Sequence, residues 1–130
     1  MKHYLDQYAD FAYAAMRVVL AFLYFCHGLQ KLVGALGGHQ VPLASLFGIA
    51  ALIESIAAPL IALGLFTPYA ALLASGEMAA AYFIAHAPQG KWPIQNSGEL
   101  AVSLCFAFLY IATRGGGKWS LDARLQRRVI

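Results

Sequence analysis

At 130 residues, 61% hydrophobic, 12% charged and with a mean hydropathy of +0.64, the chain carries far more apolar surface than a soluble domain of its length can bury. A small water-soluble protein is thereby excluded, and an all-α integral membrane protein is expected. The net charge of +3 does not point to nucleic acid, because no basic stretch is interleaved with aromatic residues; attraction to anionic lipid accounts for it better.

Four apolar runs, about 11–29, 43–65, 69–87 and 98–113, predict a single membrane domain, 1–130, built as a four-transmembrane-helix bundle. Arg17 interrupts the first run and no small-residue cleavage site follows, so a removed signal peptide is not expected. With four spans both termini share a side. That side holds Lys2, Arg114, Lys118, Arg124, Arg127 and Arg128 against Lys31 and Lys91 opposite, which predicts cytoplasmic termini in a bacterial inner (plasma) membrane.

Ahead of the first run, Tyr4, Tyr8 and Phe11 share a helical face away from Asp6 and Asp10, a pattern suited to the interface. Within it, Arg17, Ala21, Tyr24, Gly28 and Lys31 recur every three or four residues and form one stripe that should face the bundle. Arg17 then either reaches inward or snorkels back to the headgroups. A Gly-rich loop, about 30–42, carries Lys31 and His39 on the outer side.

The second run centres on Glu54, an acid at the bilayer midplane that costs about 2.5–3.5 kcal/mol on insertion scales and so calls for a partner or a function. Beside it runs a small-residue stripe, Gly48, Ala51, Ser55, Ala58 and Ala62, that permits close helix approach, and Pro59 predicts a kink. The link Phe66-Thr67-Pro68 is short, with Thr67 as a cap and Pro68 at the first helical position, so helices two and three are antiparallel neighbours.

Helix three carries the second intramembrane acid, Glu77, and places Ser75, Met78, Tyr82 and His86 on an adjoining stripe. At 1.5 Å per residue, Arg17, Glu54 and Glu77 fall about 9–16 Å from the inner surface, close enough for one ion-paired charge cluster. Trp92-Pro93 anchors the outer loop, Glu99 opens helix four, and 119–130 forms a basic amphipathic segment with Ser120 as its N-cap, Leu121, Leu125 and Val129 opposing Arg124, Arg127 and Arg128.

The outer half collects His27, Lys31, His86 and Glu99, with Tyr24 and Tyr82 beneath. Such groups can bind an anion or a quinone headgroup and pass protons. Pairing of His86 with Glu99 is the purely structural alternative. No HxxxH or CxxC spacing supports a metal site. Cys26 and Cys105 lie singly in apolar helices and read as small core residues.

Taken together, RVVLAFLYFCHGLQKL, E-x4-P-L-x3-G-L-F-T-P, GEMAAAYFIAHAPQGKWPIQNSGELA and GGGKWSLD resemble, in order and over most of the chain, the DoxX family of small bacterial four-helix membrane proteins. The resemblance matches the family's helix-one Arg and His-Gly-x-x-Lys-Leu to Arg17, His27, Gly28, Lys31 and Leu32. It matches the helix-two Glu to Glu54, and later elements to Glu77, Met78, His86, Gly98 and Glu99. Gly116 and Lys91 depart from the family pattern, in loops. The family is similar to the membrane subunit of a thiosulfate:quinone oxidoreductase, and some members are linked to oxidative-stress complexes. That implies a redox-associated membrane subunit contacting quinone or a small sulfur or anionic compound. Two other classes stay open, a non-catalytic anchor for a soluble redox enzyme and a small-solute or proton carrier acting as a homo-oligomer. The expectation is that the outer residues are the ligand site and that Arg17, Glu54 and Glu77 neutralise one another.

Overall fold

Caps and glycines set the boundaries of the elements in the computed structural model, which describes residues 4–126. A 3-10 helix, Tyr4–Tyr8, leads into α1, Ala9–Val33; α2 is Leu46–Leu63, α3 Thr67–Ala81, α4 Glu99–Arg114 and α5 Leu121–Gln126. Past Ala81 the third helix continues as a π-helical turn, Tyr82–His86, and a 3-10 turn, Ala87–Gln89. No strand occurs among the described residues.

Two boundaries differ from expectation. α1 runs to Val33 rather than ending near residue 29, and stops where Gly34 adopts a φ of 68° and its N–H bonds the Gln30 carbonyl at 3.1 Å. α2 starts at Leu46 rather than 43, because the Ser45 hydroxyl caps it by accepting from the Gly48 N–H at 3.1 Å. Three helical stretches, Tyr4–Val33, Leu46–Leu63 and Thr67–Gln89, are long and apolar enough to cross a membrane. α4, at 16 residues, is about 24 Å long.

α1 packs mainly on α2 and α3 on α4, with a looser seam between α2 and α3. The expected stripe of α1 is buried at Arg17, Ala21, Tyr24 and Gly28, and that of α2 at Gly48, Ala51 and Ala58, around a buried Glu54. Gly28 sets the close approach of the two helices, since a Cβ there would stand 2.5 Å from Ser55 Oγ and 3.1 Å from Glu54 Cβ. Tyr24, Ile61, Leu104, Phe108 and Ile111 fill the interior, while Phe22, Ile56, Phe83 and Phe106 are exposed, as suits a surface in contact with lipid.

The two ends of the described chain meet at one end of the bundle. The Tyr13 hydroxyl donates to the Gly115 carbonyl at 2.5 Å, and Lys118 lies 2.6 Å from Asp10. From the far end of the sequence, Asp122 caps α3 by accepting from the Phe66 N–H (2.9 Å), the Thr67 N–H (3.0 Å) and the Thr67 hydroxyl (2.8 Å). Its own N–H bonds the Gly64 carbonyl at 2.9 Å. Thr67 is therefore a donor inside the first turn of α3, not its cap. Partial burial of Asp122 acts to raise its pKa, but the hydrogen bonds from Thr67 and Phe66 and the nearby Arg17 charge outweigh it and hold the carboxyl below its ordinary range. Ser120 caps α5 as expected, accepting from the Ala123 N–H at 3.1 Å. Lys2, Arg127, Arg128 and Val129, which entered the charge count and the amphipathic pattern, lie outside the described residues.

Candidate functional site

A cleft of about 880 Å³ opens along the seam between α2 and α3, with α1 and α4 closing its back. Its wall is mostly apolar, and the charged and imidazole groups that reach it are His27, Lys31, Glu54, Glu77 and His86. Lys31 and Glu54 form an ion pair, Nζ to Oε1 at 2.5 Å, in which Glu54 is fully buried and the Lys31 side chain is 24% exposed. The second carboxylate oxygen, Oε2, is buried without a hydrogen-bond partner among the described residues. Glu77 Oε2 accepts from the Tyr24 hydroxyl at 2.9 Å, and Tyr24, fully buried, sets its ring edge-on to Phe108 at 4.9 Å. Both intramembrane acids are thus held by side chains of one α1 stripe.

The expected cluster of Arg17 with Glu54 and Glu77 is not formed. Arg17, 1% exposed, donates through Nη1 to the carbonyls of Ile61 and Ala62 and through Nη2 to that of Trp119, at 2.7 Å. The first two belong to the last turn of α2, where carbonyls lack helical donors and the helix dipole is negative. Register explains the exchange of partners. Glu54 lies seven residues before Ile61, about 10 Å along α2, out of reach of a guanidinium already engaged there. Lys31 was expected in a loop, but the extension of α1 to Val33 brings it to Glu54 instead.

Of the six residues expected to bind ligand, the structure brings His27, Lys31 and His86 to the cleft. Tyr24 stands behind Glu77. Tyr82 stacks on His86, centroids 6.5 Å apart, and its hydroxyl meets Asn96 Nδ2 at 3.4 Å. Glu99, exposed at the start of α4, neither lines the cleft nor pairs with His86. His86 Nδ1 instead lies 3.0 Å from the Asn96 carbonyl, and because a carbonyl only accepts, the ring donates from that nitrogen. Asn96 was missed by sequence reasoning. It is 2% exposed, binds the Gly90 carbonyl at 2.9 Å and accepts from the Gly98 N–H at 2.9 Å, so it organises the loop that positions His86. The Asn-Ser-Gly run of that loop is an Asx-turn signal that would have found it. Cys26 and Cys105 are free and half-buried, and the Cys105 carbonyl accepts from Ser75 at 2.8 Å.

The DoxX family profile matches residues 12–87, a stretch that contains His27, Lys31, Glu54, Glu77 and His86. A protein of Haemophilus influenzae described as uncharacterized is 35% identical, over 95% of this chain and 98% of its own length. An uncharacterized membrane protein of Mycobacterium tuberculosis is 23% identical, over 87% of this chain and 80% of its own. No solved structure matches.

Proposed function

This chain is a membrane protein that belongs to the DoxX family, and we propose that it serves as the quinone-binding subunit of a redox system in the bacterial inner membrane. One observation carries the reading: the cleft joins an extensive apolar wall to a small set of convergent polar groups, His27, Lys31, Glu54, Glu77 and His86. That combination suits a flat apolar ring bearing a few oxygens. Lys31 and His27 can donate to quinone carbonyls, and His86 Nε2, left as an acceptor because Nδ1 donates to the Asn96 carbonyl, can accept from a quinol hydroxyl. A free small anion fits less well, because the Lys31 charge is already matched by Glu54 and the surrounding wall would not replace the anion's water. A redox partner, either a soluble enzyme or another subunit, exchanges the two electrons with the bound ring.

In this reading all four long helices cross the bilayer and both termini are cytoplasmic. Support comes from Arg114, Lys118 and Arg124, which follow or end α4 on the side where the chain ends meet. The test is binding of a soluble short-chain benzoquinone to the purified protein in detergent, with extraction of co-purified lipid. About one quinone per chain is expected. His86→Ala and His27→Ala should weaken binding at least tenfold with an unchanged circular-dichroism spectrum. Wild-type binding by both variants, or a stoichiometric soluble enzyme with no quinone, refutes the proposal and favours an anchor.

A further inference from the structure

We infer that the cleft is the head end of a longer site whose other end takes a single apolar chain, so that the ligand is an amphiphile lying along the α2–α3 seam with its head toward His86 and its chain toward Leu60 and Ala70. This rests on the quinone reading of the cleft and extends it to the part of the ligand that carries no oxygen.

Polarity along the seam is strongly one-sided. From Tyr69 to His86 the α3 side of the cleft covers eighteen residues, roughly 26 Å at helical rise. On that side Glu77 sits at the middle of the span and His86 at its upper end, and the part below Glu77 presents Tyr69, Leu72, Leu73 and Gly76, with no charged or imidazole group. The partners from α1 and α2, His27, Lys31 and Glu54, belong to the same upper half, because Glu54 is tied to Lys31 near the end of α1.

Beside the cleft lies a second cavity of about 200 Å³, lined only by apolar side chains, which on α2 reaches from Ile49, ahead of Glu54, to Leu60 beyond it. Ile49, Ile53 and Leu73 line both, so the two form one trough. It runs on past Ile56 and Leu60 of α2 against Ala57 and Ala70, toward the end of the bundle where the chain ends meet. Ala57 and Ala70 are buried alanines, which leave the depth that larger residues would fill, while Ile56 and Leu73 are exposed and form its lips. A compact water-soluble ligand would use the upper half alone. A headgroup with one chain matches both the polar end and the apolar continuation, and the open lips admit the chain sideways from lipid.

The experiment uses two photoreactive benzoquinones and the full chain in nanodiscs, one with a diazirine on the ring and one with the diazirine at the end of a ten-carbon chain. Peptide mapping should find the ring probe on Glu77–His86 and the chain probe on Leu52–Leu60 or Ala70–Leu73. The exposed-site variants Ile56→Trp and Leu52→Trp, which fill the trough from its rim and do not line the cleft, should weaken the ten-carbon quinone at least fivefold and leave a chainless benzoquinone unchanged. Ring labelling in the cleft with chain labelling spread over lipid-facing positions such as Phe22 and Phe106 overturns this inference and leaves the headgroup reading standing. Ring labelling away from the cleft overturns the headgroup reading itself. Equal weakening of long and chainless quinones by both Trp variants also counts against the trough.

Discussion

Arg17→Met separates two pairings of the buried charges that the sequence alone could not distinguish. The substitution removes three hydrogen bonds to the carbonyls of Ile61, Ala62 and Trp119 from a side chain that is 1% exposed. Hydrogen bonds from charged groups contribute roughly 1.5–3 kcal/mol each, and their loss is offset by several kcal/mol as the guanidinium no longer has to be desolvated. A net loss of about 3 kcal/mol is expected, since the carbonyls at the end of α2 stay behind without donors. The diagnostic lies in the coupling. Arg17 and Glu54 share no partner, so Arg17→Met and Glu54→Gln should add to within about 0.5 kcal/mol. Lys31 and Glu54 are 2.5 Å apart, so Lys31→Met and Glu54→Gln should be non-additive by about 1–3 kcal/mol, the double variant being more stable than the sum of the singles. Two double-mutant cycles measured by denaturant unfolding in one detergent, followed by circular dichroism, give both numbers. Strong coupling of Arg17 to Glu54, or additivity of Lys31 and Glu54, would show that the pairing has been assigned to the wrong cation.

Asp122→Asn should lower unfolding stability by about 1 kcal/mol, in line with loss of a helix cap. Because folding depresses this pKa below the ordinary 3.8, the wild-type carboxyl stabilises fully above that value and loses its contribution as pH falls through the folded pKa; the variant should lack that acid limb in stability measured against pH. Gly28→Ala places a Cβ 2.5 Å from Ser55 Oγ and should cost about 1–3 kcal/mol, with Ser55→Ala restoring part of it; an undiminished melting temperature for the single variant would mean that α1 and α2 are not so closely packed. For topology, a cysteine at His39 or Lys91 should react with an impermeant maleimide in intact cells and one at Gln126 should not; the reverse pattern inverts the assignment.

Much of the helical architecture was legible because apolar run length and the three-to-four spacing report on a solvent boundary that each helix meets alone. The stripe of α1, the small residues of α2 and the cap at Ser120 all follow from local pattern, and the structure keeps them. Partner choice was not legible in this way. Arg17 and Lys31 share a stripe fourteen residues apart, about 21 Å, and either could have answered Glu54; Gly34 as the actual stop of α1 decided it, by keeping Lys31 helical. Asp122 reaches Thr67 across 55 positions, and Asn96 orients His86 through a loop carbonyl, contacts with no sequence period to announce them. Glu99 groups with the outer residues by its place at the start of a helix; the structure leaves it exposed there, outside the cleft lining. What the sequence determined by itself was which residues had to leave water and along which helix faces, since hydropathy is a property of each residue and its period. Which charge met which oxygen, and that the two acids open into one cleft, depended on the relative register of α1, α2 and α3, which only their packing sets.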